Sequence, residues 1–152
     1  MADSALVSSL RASLAETWAF YFKAHSFHWN IRGGLFKQFH DLFGGIYEDA
    51  HGAVDDLAER LRTLDVDAPR SLDEIAMGAS ISFPSSVPDD AGMVSQLIKD
   101  NDTVIKALKA TNDLAEEQGN CGLANMLQGR IDIHQKHGWM LRATMAKPGS
   151  DL

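Results

Sequence analysis

The chain has 152 residues and a formal net charge of −7, with 45% hydrophobic and 23% charged residues. This length suits a single core, so we expect residues 1–152 to form one domain. An acidic chain has little capacity to neutralise phosphates. Charge alone therefore gives it no attraction for nucleic acid or for an anionic membrane.

Cysteine usage and hydropathy indicate where the protein works. The single cysteine, Cys121, excludes an intrachain disulfide and fits a reducing compartment. The first residues show neither a basic lead nor an apolar stretch of signal-peptide length. No run approaches the roughly 18 apolar residues of a membrane span. We therefore expect a cytoplasmic protein with no membrane partner.

Apolar residues recur at spacings of three, four and seven over four long segments, which predicts four amphipathic helices. These helices cover about residues 4–31, 36–64, 89–118 and 122–146. Short glycine-containing turns separate the first helix from the second and the third from the fourth. Residues 65–88 form a long connection between the second and the third helix.

The long connection carries three of the four prolines and the sequence Ser-Leu-Asp-Glu at 71–74. A serine followed three residues later by glutamate is typical of a capping box, which predicts a short helix here. Four long helices with one long crossover predict an all-α fold. We expect a ferritin-like four-helix bundle, with a short extra helix in the crossover between helices two and three.

Three of the six histidines lie in the segment HSFHWNIRGGLFKQFH, residues 25–40. His28 ends the first predicted helix and His40 begins the second, on either side of a Gly-Gly turn. An antiparallel hairpin brings these two imidazoles to the same end of the bundle. Imidazole pairs suit iron, zinc or copper. Considered alone, a pair of half-buried histidines without a metal is the commoner outcome.

A polar stripe follows one face of the second predicted helix. It comprises His40, Gly44, Glu48, His51, Asp55 and Glu59. Asp55 and Glu59 lie one turn apart and can share a cation, although a solvated acidic face is the commoner interpretation. The chain has one Glu-x-x-His motif, whereas an intrachain di-iron bundle uses two.

Helix length separates the two halves of this stripe. Asp55 follows His40 by fifteen residues, which is roughly 22 Å along a continuous helix. No single ion reaches both side chains. Either no site combines these residues, or the site lies between two chains. A two-fold axis would place His40 of one chain near Asp55 and Glu59 of the other, and would make two such sites.

Three segments resemble the Dps proteins, also called mini-ferritins: HWNIRGGLFKQFH at 28–40, DDLAER at 55–60 and HQKHGWMLRA at 134–143. The resemblance covers nearly the whole chain. It implies a homo-oligomer, a dodecameric cage, with an iron-oxidising site between two-fold-related subunits.

The resemblance also implies the site residues and the reaction. His28 and His40 of one chain would be ligands and catalytic residues together with Asp55 and Glu59 of its partner. Such a ferroxidase binds Fe(II) and passes the electrons to hydrogen peroxide or oxygen. Ferric mineral then collects inside the cage, which protects the cell against oxidative damage.

Gly44 departs from the family pattern, which usually has an aspartate four residues after the second histidine. The site then binds iron more weakly, holds one ion, or recruits another residue. His51 and His25 are the candidates for recruitment, and a surface or interface histidine is the alternative for each. A further histidine would also favour zinc or copper, so zinc is an alternative occupant of the same site.

Two further histidines, His134 and His137, lie three residues apart on the fourth predicted helix. We expect them to lie on a helix surface or in a packed interface rather than to form a second metal site. Trp29 matches the family and packs either against the site or in the core. The first 22 residues contain one basic residue, Arg11, so we expect DNA binding to be weak or absent.

Two alternatives to the ferroxidase stay open from the sequence. One is a cage with a degraded ferroxidase site that acts in metal sequestration or DNA compaction. Gly44 supports this alternative because it offers no side-chain ligand. The other is an unrelated four-helix interaction module.

Overall fold

The computed structural model describes residues 4–151, which contain five helices and no strand. The helices are α1 (Ser4–Asn30), α2 (Phe36–Thr63), α3 (Leu72–Ala76), α4 (Asp90–Glu117) and α5 (Cys121–Met145). The four long helices begin and end within one residue of the predicted positions. The all-α prediction with a short helix in the crossover is confirmed.

The core is formed by one face of each long helix. On α2 the buried residues recur every three or four positions, as an amphipathic helix requires. They are Phe39, Phe43, Gly44, Ile46, Ala50, Ala53, Leu57 and Leu61. The helix continues without interruption through its three glycines. Packing of the apolar face therefore outweighs the low helix propensity of glycine.

The turn between α1 and α2 depends on one glycine. Gly33 has a φ of 117°, a conformation that residues with a Cβ rarely adopt. The chain reverses there, and α1 packs against both α2 and α4, while α5 packs mainly against α4. The end of α1 consequently lies beside the start of α2.

The crossover is fixed to the bundle by a buried carboxylate. Glu16 on α1 accepts hydrogen bonds from the backbone N–H of Ser80 at 2.7 Å and from its hydroxyl at 2.6 Å. It also accepts one from the N–H of Ile81 at 3.2 Å.

Earlier in the crossover, the Ser71 side chain caps α3 by accepting a hydrogen bond from Glu74 N–H at 3.1 Å, as predicted. In a capping box the Glu74 carboxylate would accept in return from the N–H of Ser71. Here it accepts from the N–H of Arg70 instead.

No helix within residues 4–151 is long and apolar enough to span a membrane.

Candidate metal centre

The α1–α2 hairpin stacks the imidazole of His28 on that of His40. The ring centroids are 3.7 Å apart and the ring planes differ by 19°. Phe36 lies 4.9 Å from the His40 ring. The prediction that the turn brings these two imidazoles together is confirmed.

Reciprocal hydrogen bonds fix the two rings. Nδ1 of His28 lies 2.7 Å from the backbone carbonyl oxygen of His40, and Nδ1 of His40 lies 2.8 Å from that of His28. A carbonyl oxygen only accepts, so each Nδ1 must carry the hydrogen and donate it. In a neutral ring, Nε2 then keeps its lone pair. Such a bond to a carbonyl is the usual support for an imidazole that ligates a metal through its other nitrogen.

The carboxylates lie further along α2. Asp55 and Glu59 are exposed and one helical turn apart. Because α2 is continuous, His40 and Asp55 are separated by roughly 22 Å along its axis. Within residues 4–151 of one chain, no group of three or more His, Cys, Asp or Glu side chains is arranged to hold a metal ion. One chain therefore presents an imidazole half and a carboxylate half that do not meet.

Gly44 is buried against the His28 ring. A Cβ at this position would lie 3.2 Å from Nδ1 of His28 and 3.3 Å from its Cε1, closer than ordinary van der Waals contact. The missing side chain therefore leaves room for His28 to reach the carbonyl of His40. Gly45, the next residue, has open space around the same position.

His25 lies in a group of aromatic rings beside this pair. Its ring stacks on Tyr47 at 3.8 Å, with planes 9° apart, and contacts Trp29 at 4.0 Å. Its Nδ1 is 3.0 Å from the hydroxyl of Tyr21, and its ring is 6.1 Å from that of His28. Burial lowers the pKa of His25, and nearby histidine charges lower it further. Trp29 is 57% exposed, so the core-packing interpretation of this residue is wrong.

His51 differs from His25 in being exposed. Its ring lies 4.8 Å from Tyr21, and none of its nitrogens forms a hydrogen bond with the residues that the structure describes. His51 precedes Asp55 by one turn of α2. It therefore lies nearer to the carboxylate half than His40 does.

A second polar cluster fills the interior between α2, α4 and α5. The Arg130 guanidinium donates two hydrogen bonds of 2.8 Å to the carboxylate of Asp49. It also contacts Nε2 of His134 at 2.9 Å. His137 donates from Nε2 to Asp49 at 2.7 Å, and the other nitrogen of His134 lies 2.9 Å from the side-chain oxygen of Asn101. His134 is fully buried and His137 is 6% exposed, so the helix-surface interpretation of these two residues is wrong.

The charges of this cluster show why it does not resemble a metal site. Burial alone would raise the pKa of Asp49, but hydrogen bonds from His137 and Arg130 outweigh it and hold the carboxyl well below its usual range. Burial, and next the charge of Arg130, lower the pKa of His134 to about 3. The neutral imidazole therefore accepts a hydrogen bond from the guanidinium. The cation held here by the Asp49 carboxylate and the His134 imidazole is the side chain of Arg130.

Comparison with known proteins identifies the family of this chain. A family model described as a ferritin-like domain matches residues 7–148. The DNA protection during starvation protein of Brevibacillus brevis is 33% identical over 134 residues, which cover 88% of this chain and 90% of the relative. The chain belongs to the Dps family of ferritin-like proteins.

Solved Dps structures share the fold over nearly their whole length. A Dps protein from Bacillus brevis superposes with a TM-score of 0.89 at 31% identity, covering 96% of this chain and 100% of that one. A Dps protein from Vibrio cholerae O1 superposes with a TM-score of 0.88 at 28% identity, covering 93% and 89%. That protein is described as a member of a broad superfamily of ferritin-like diiron-carboxylate proteins. The alternative of an unrelated four-helix module is therefore wrong.

Several features of this Dps chain were not predicted from its sequence. The contact of Asp49 with Arg130 joins residues 81 positions apart, and no local spacing indicates it. Tyr21 precedes His28 by seven residues, which places both on one face of α1, so a signal for the aromatic group was present. The stacking of Tyr47 on His25 depends on the packing of α2 against α1, which spacing within one helix does not give.

Proposed function

We propose that this Dps protein oxidises Fe(II) with hydrogen peroxide or oxygen at a site shared by two chains, and stores the ferric product inside a homo-oligomeric cage. The observation that carries the proposal is the His28–His40 pair. Its two Nδ1 atoms are held by carbonyl oxygens, and its two Nε2 atoms are left for a metal. The relationship to a protein described among ferritin-like diiron-carboxylate proteins supports iron as the metal.

In the proposed site each residue has a distinct role. Nε2 of His28 and of His40 hold Fe(II), and the carboxylates of Asp55 and Glu59 from the partner chain complete the ligand set. Imidazole suits the ferrous ion, and negatively charged oxygen ligands stabilise the ferric ion that forms. Oxidation is therefore favoured at the moment when both halves surround the metal. We assign these four residues to catalysis as well as to binding.

Gly44 supplies no side-chain ligand, so we propose that a histidine takes part in the site, and two histidines are available. His51 is the stronger candidate because it is exposed and one turn before Asp55. It would enter the site together with the carboxylates of its own chain. His25 is the second candidate, but its Nδ1 is engaged with Tyr21 and its ring is packed on Tyr47. A site with three imidazoles also accepts zinc, which we propose as a competitor of iron.

An exposed apolar surface beside the imidazole half supports a two-chain site. The ring of Phe22 contacts those of Trp29 and Phe83, with centroids 6.3 and 5.9 Å apart. They are 42%, 57% and 50% exposed in the single chain. A contiguous apolar patch of this kind marks a protein interface. A second copy related by a two-fold axis would cover it and bring its Asp55 toward His40.

We propose that six such dimers form a dodecamer. The net charge of −7 makes DNA a weak partner or none, and attracts Fe(II) instead. Removal of Fe(II) and peroxide in one reaction would protect the cell from oxidative damage.

A complementation experiment tests the two-chain site. His40→Ala and Asp55→Ala are each expected to abolish accelerated Fe(II) oxidation. In a mixed dimer, one site combines both defects and the other combines an intact imidazole half with an intact carboxylate half. Random pairing makes half of the dimers mixed, so co-refolded subunits should recover about one quarter of the wild-type activity. The recovered activity is measured by adding peroxide or air to the anaerobic Fe(II)-loaded protein and following the ferric absorbance.

Asp56→Ala is the matched control, because Asp56 is an exposed carboxylate next to Asp55. This variant should keep wild-type activity, and its equal mixture with His40→Ala should show about half of that activity, which is the plain average of the two proteins. Activity of Asp55→Ala alone would contradict the assigned site. Failure of the mixture to recover activity, with oligomers of normal size, would contradict a site between chains.

Gly44 supports a second candidate function, a Dps cage that sequesters metal or compacts DNA without fast oxidation. It predicts normal assembly with no acceleration over a protein-free control. DNA compaction within this alternative predicts a gel shift that weakens with salt. No shift at low salt would exclude that part.

A further inference from the structure

The imidazole of His40 lies between two other rings. Its centroid is 3.7 Å from that of His28, with the ring planes 19° apart, and 4.9 Å from that of Phe36, with the planes 27° apart. Two rings at these distances cannot stack on the same face of an imidazole, so Phe36 covers the face that His28 leaves open. His40 is therefore enclosed on both faces.

The spacing within α2 places Phe36 on His40. The two residues are one turn apart, so their side chains are neighbours on the helix surface. Phe36 is the first residue of α2, directly after the turn, where its backbone N–H donates to the carbonyl oxygen of Gly33 at 3.1 Å. Its side chain is 42% exposed, so the core gains little from this ring.

A metal ion changes the charge of the imidazole that binds it. The ion draws electron density from the ring, which becomes partly positive. The face of a phenyl ring is negative, and it attracts a positive group that lies over it. The contact between Phe36 and His40 is therefore stronger in the metal-bound protein than in the metal-free protein, and such a difference favours binding.

His28 does not give His40 the same support. In the proposed site its own Nε2 also holds metal, so both stacked imidazoles become partly positive, and like charges this close repel each other. A negative ring face on the other side of His40 offsets part of this repulsion. Within residues 4–151, Phe36 is the only phenyl ring stacked on His40.

We propose that Phe36 strengthens metal binding at His40 through the negative face of its ring, an inference that rests on the proposed function. Phe36 does not touch the metal. It acts through His40, as a positioning residue of the iron site. A cation–π contact at an exposed site tightens binding by about 2- to 5-fold.

Fluorinated phenylalanines in place of Phe36 test the inference on the full-length assembled protein. Fluorine withdraws electrons, so the ring face becomes less negative in difluorophenylalanine and positive in pentafluorophenylalanine, while the ring stays flat and apolar. Anaerobic titration with Co(II), followed by its visible absorbance, measures the affinity. We expect the affinity to fall stepwise along this series, and pentafluorophenylalanine to lose at least the contribution of about 2- to 5-fold.

Natural substitutions separate the ring from its apolar bulk. Phe36→Leu keeps an apolar side chain without a ring and should weaken Co(II) binding by about 2- to 5-fold. Phe36→Tyr keeps a negative ring face and should retain the wild-type affinity. Pentafluorophenylalanine in place of Phe22 is the matched control. Phe22 is also 42% exposed, but its ring contacts Trp29 and Phe83, so the Co(II) affinity should not change.

Three results would overturn the inference. The first is equal Co(II) affinity with phenylalanine and with pentafluorophenylalanine at position 36. The second is a loss in Phe36→Tyr as large as that in Phe36→Leu, since the ring face would then contribute nothing. The third is an equal loss when Phe22 is fluorinated, since the effect would then come from fluorination in general.

The proposed function and this inference can fail separately. Equal Co(II) titrations of wild type and His40→Ala would show that His40 binds no metal, which would overturn both. Fast Fe(II) oxidation together with a Co(II) affinity that does not respond to fluorination of Phe36 would overturn the role of Phe36 alone.

Discussion

His28 and His40 each donate a hydrogen bond from Nδ1 to the backbone carbonyl oxygen of the other, at 2.7 and 2.8 Å. The two bonds join the last turn of α1 to the first turn of α2. They also set the tautomer of both rings, so that the same contacts stabilise the hairpin and orient the two proposed metal ligands. A change at either residue should therefore be seen in stability and in metal binding together.

We expect His40→Ala to weaken both properties. Loss of its bond to the carbonyl of His28 should cost about 1 kcal/mol in the free energy of unfolding. Loss of a ligand should weaken Co(II) binding more than the roughly 10- to 100-fold that follows loss of an outer-shell partner. Chemical denaturation and anaerobic titration measure the two effects. His51→Ala is the control for stability, since His51 is exposed, and it should unfold as wild type does.

Substitution of two adjacent glycines should separate helix propensity from contact with His28. Alanine favours an interior helix position by roughly 1 kcal/mol over glycine. Gly45→Ala, with open space around the new Cβ, should stabilise the protein by about that amount. Gly44→Ala should gain less, because its Cβ would press on the His28 ring at 3.2 Å. Denaturant unfolding of the two variants compares them, and an equal gain would show that the His28 ring moves aside freely.

Arg130 and Asp49 should depend on each other. Arg130→Met leaves the half-buried carboxylate of Asp49 with one fewer charged partner, and we expect a loss of about 3 kcal/mol in the free energy of unfolding. Removing the charge as well, in the double variant Asp49→Asn with Arg130→Met, should recover part of this loss. A double-mutant cycle measures the coupling. Strictly additive losses would show that the two side chains do not stabilise each other.

Burial of His134 should make stability depend on pH. The pKa of His134 is about 3 in the folded chain and 6.5 ordinarily, so between these values only the unfolded chain binds the proton. Stability is thus fully present above pH 6.5 and decreases as the pH falls, by up to about 1.4 kcal/mol per pH unit. The lowered pKa of His25 acts in the same direction. Burial raises the pKa of Asp100, which acts in the opposite direction near pH 4.

Thermal unfolding at fixed protein concentration, from pH 7 to pH 4.5, measures this dependence. His134→Gln can keep the contacts with Asn101 and Arg130 and should flatten the curve. His51→Gln changes an exposed histidine whose charge helps to lower the pKa of His25, so it should change the slope less than His134→Gln does. An unchanged slope in His134→Gln would assign the pH dependence to other groups.

Local spacing was sufficient to predict the fold and half of the candidate site. Apolar periodicity gave each long helix to within one residue, and the turn at Gly33 placed His28 beside His40. The prediction that Asp55 lies out of reach of His40 needed only the rise of a helix, and the continuous α2 agrees with it.

Contacts between helices could not be predicted in the same way. The partners of Asp49 are 81 and 88 residues away on α5. Whether these side chains meet depends on how α2 and α5 are each oriented about their own axes. His134 and His137 read equally well as surface residues, because histidine occurs in both environments. The contact of Tyr21 with His25, four residues along α1, could have been predicted from the sequence. The stacking of Tyr47 on His25 could not, because it joins two helices.

The guanidinium of Arg130 gives this bundle a permanent positive charge at its centre. Proteins that rely on a bound ion to neutralise buried acidic groups unfold when a chelator takes it away. Here the balancing charge is part of the polypeptide, so the melting temperature of the metal-stripped protein should match that of untreated protein at low iron. Under the proposed function, a cell short of iron would accumulate empty, folded shells in advance and would have storage capacity ready for a sudden influx of metal.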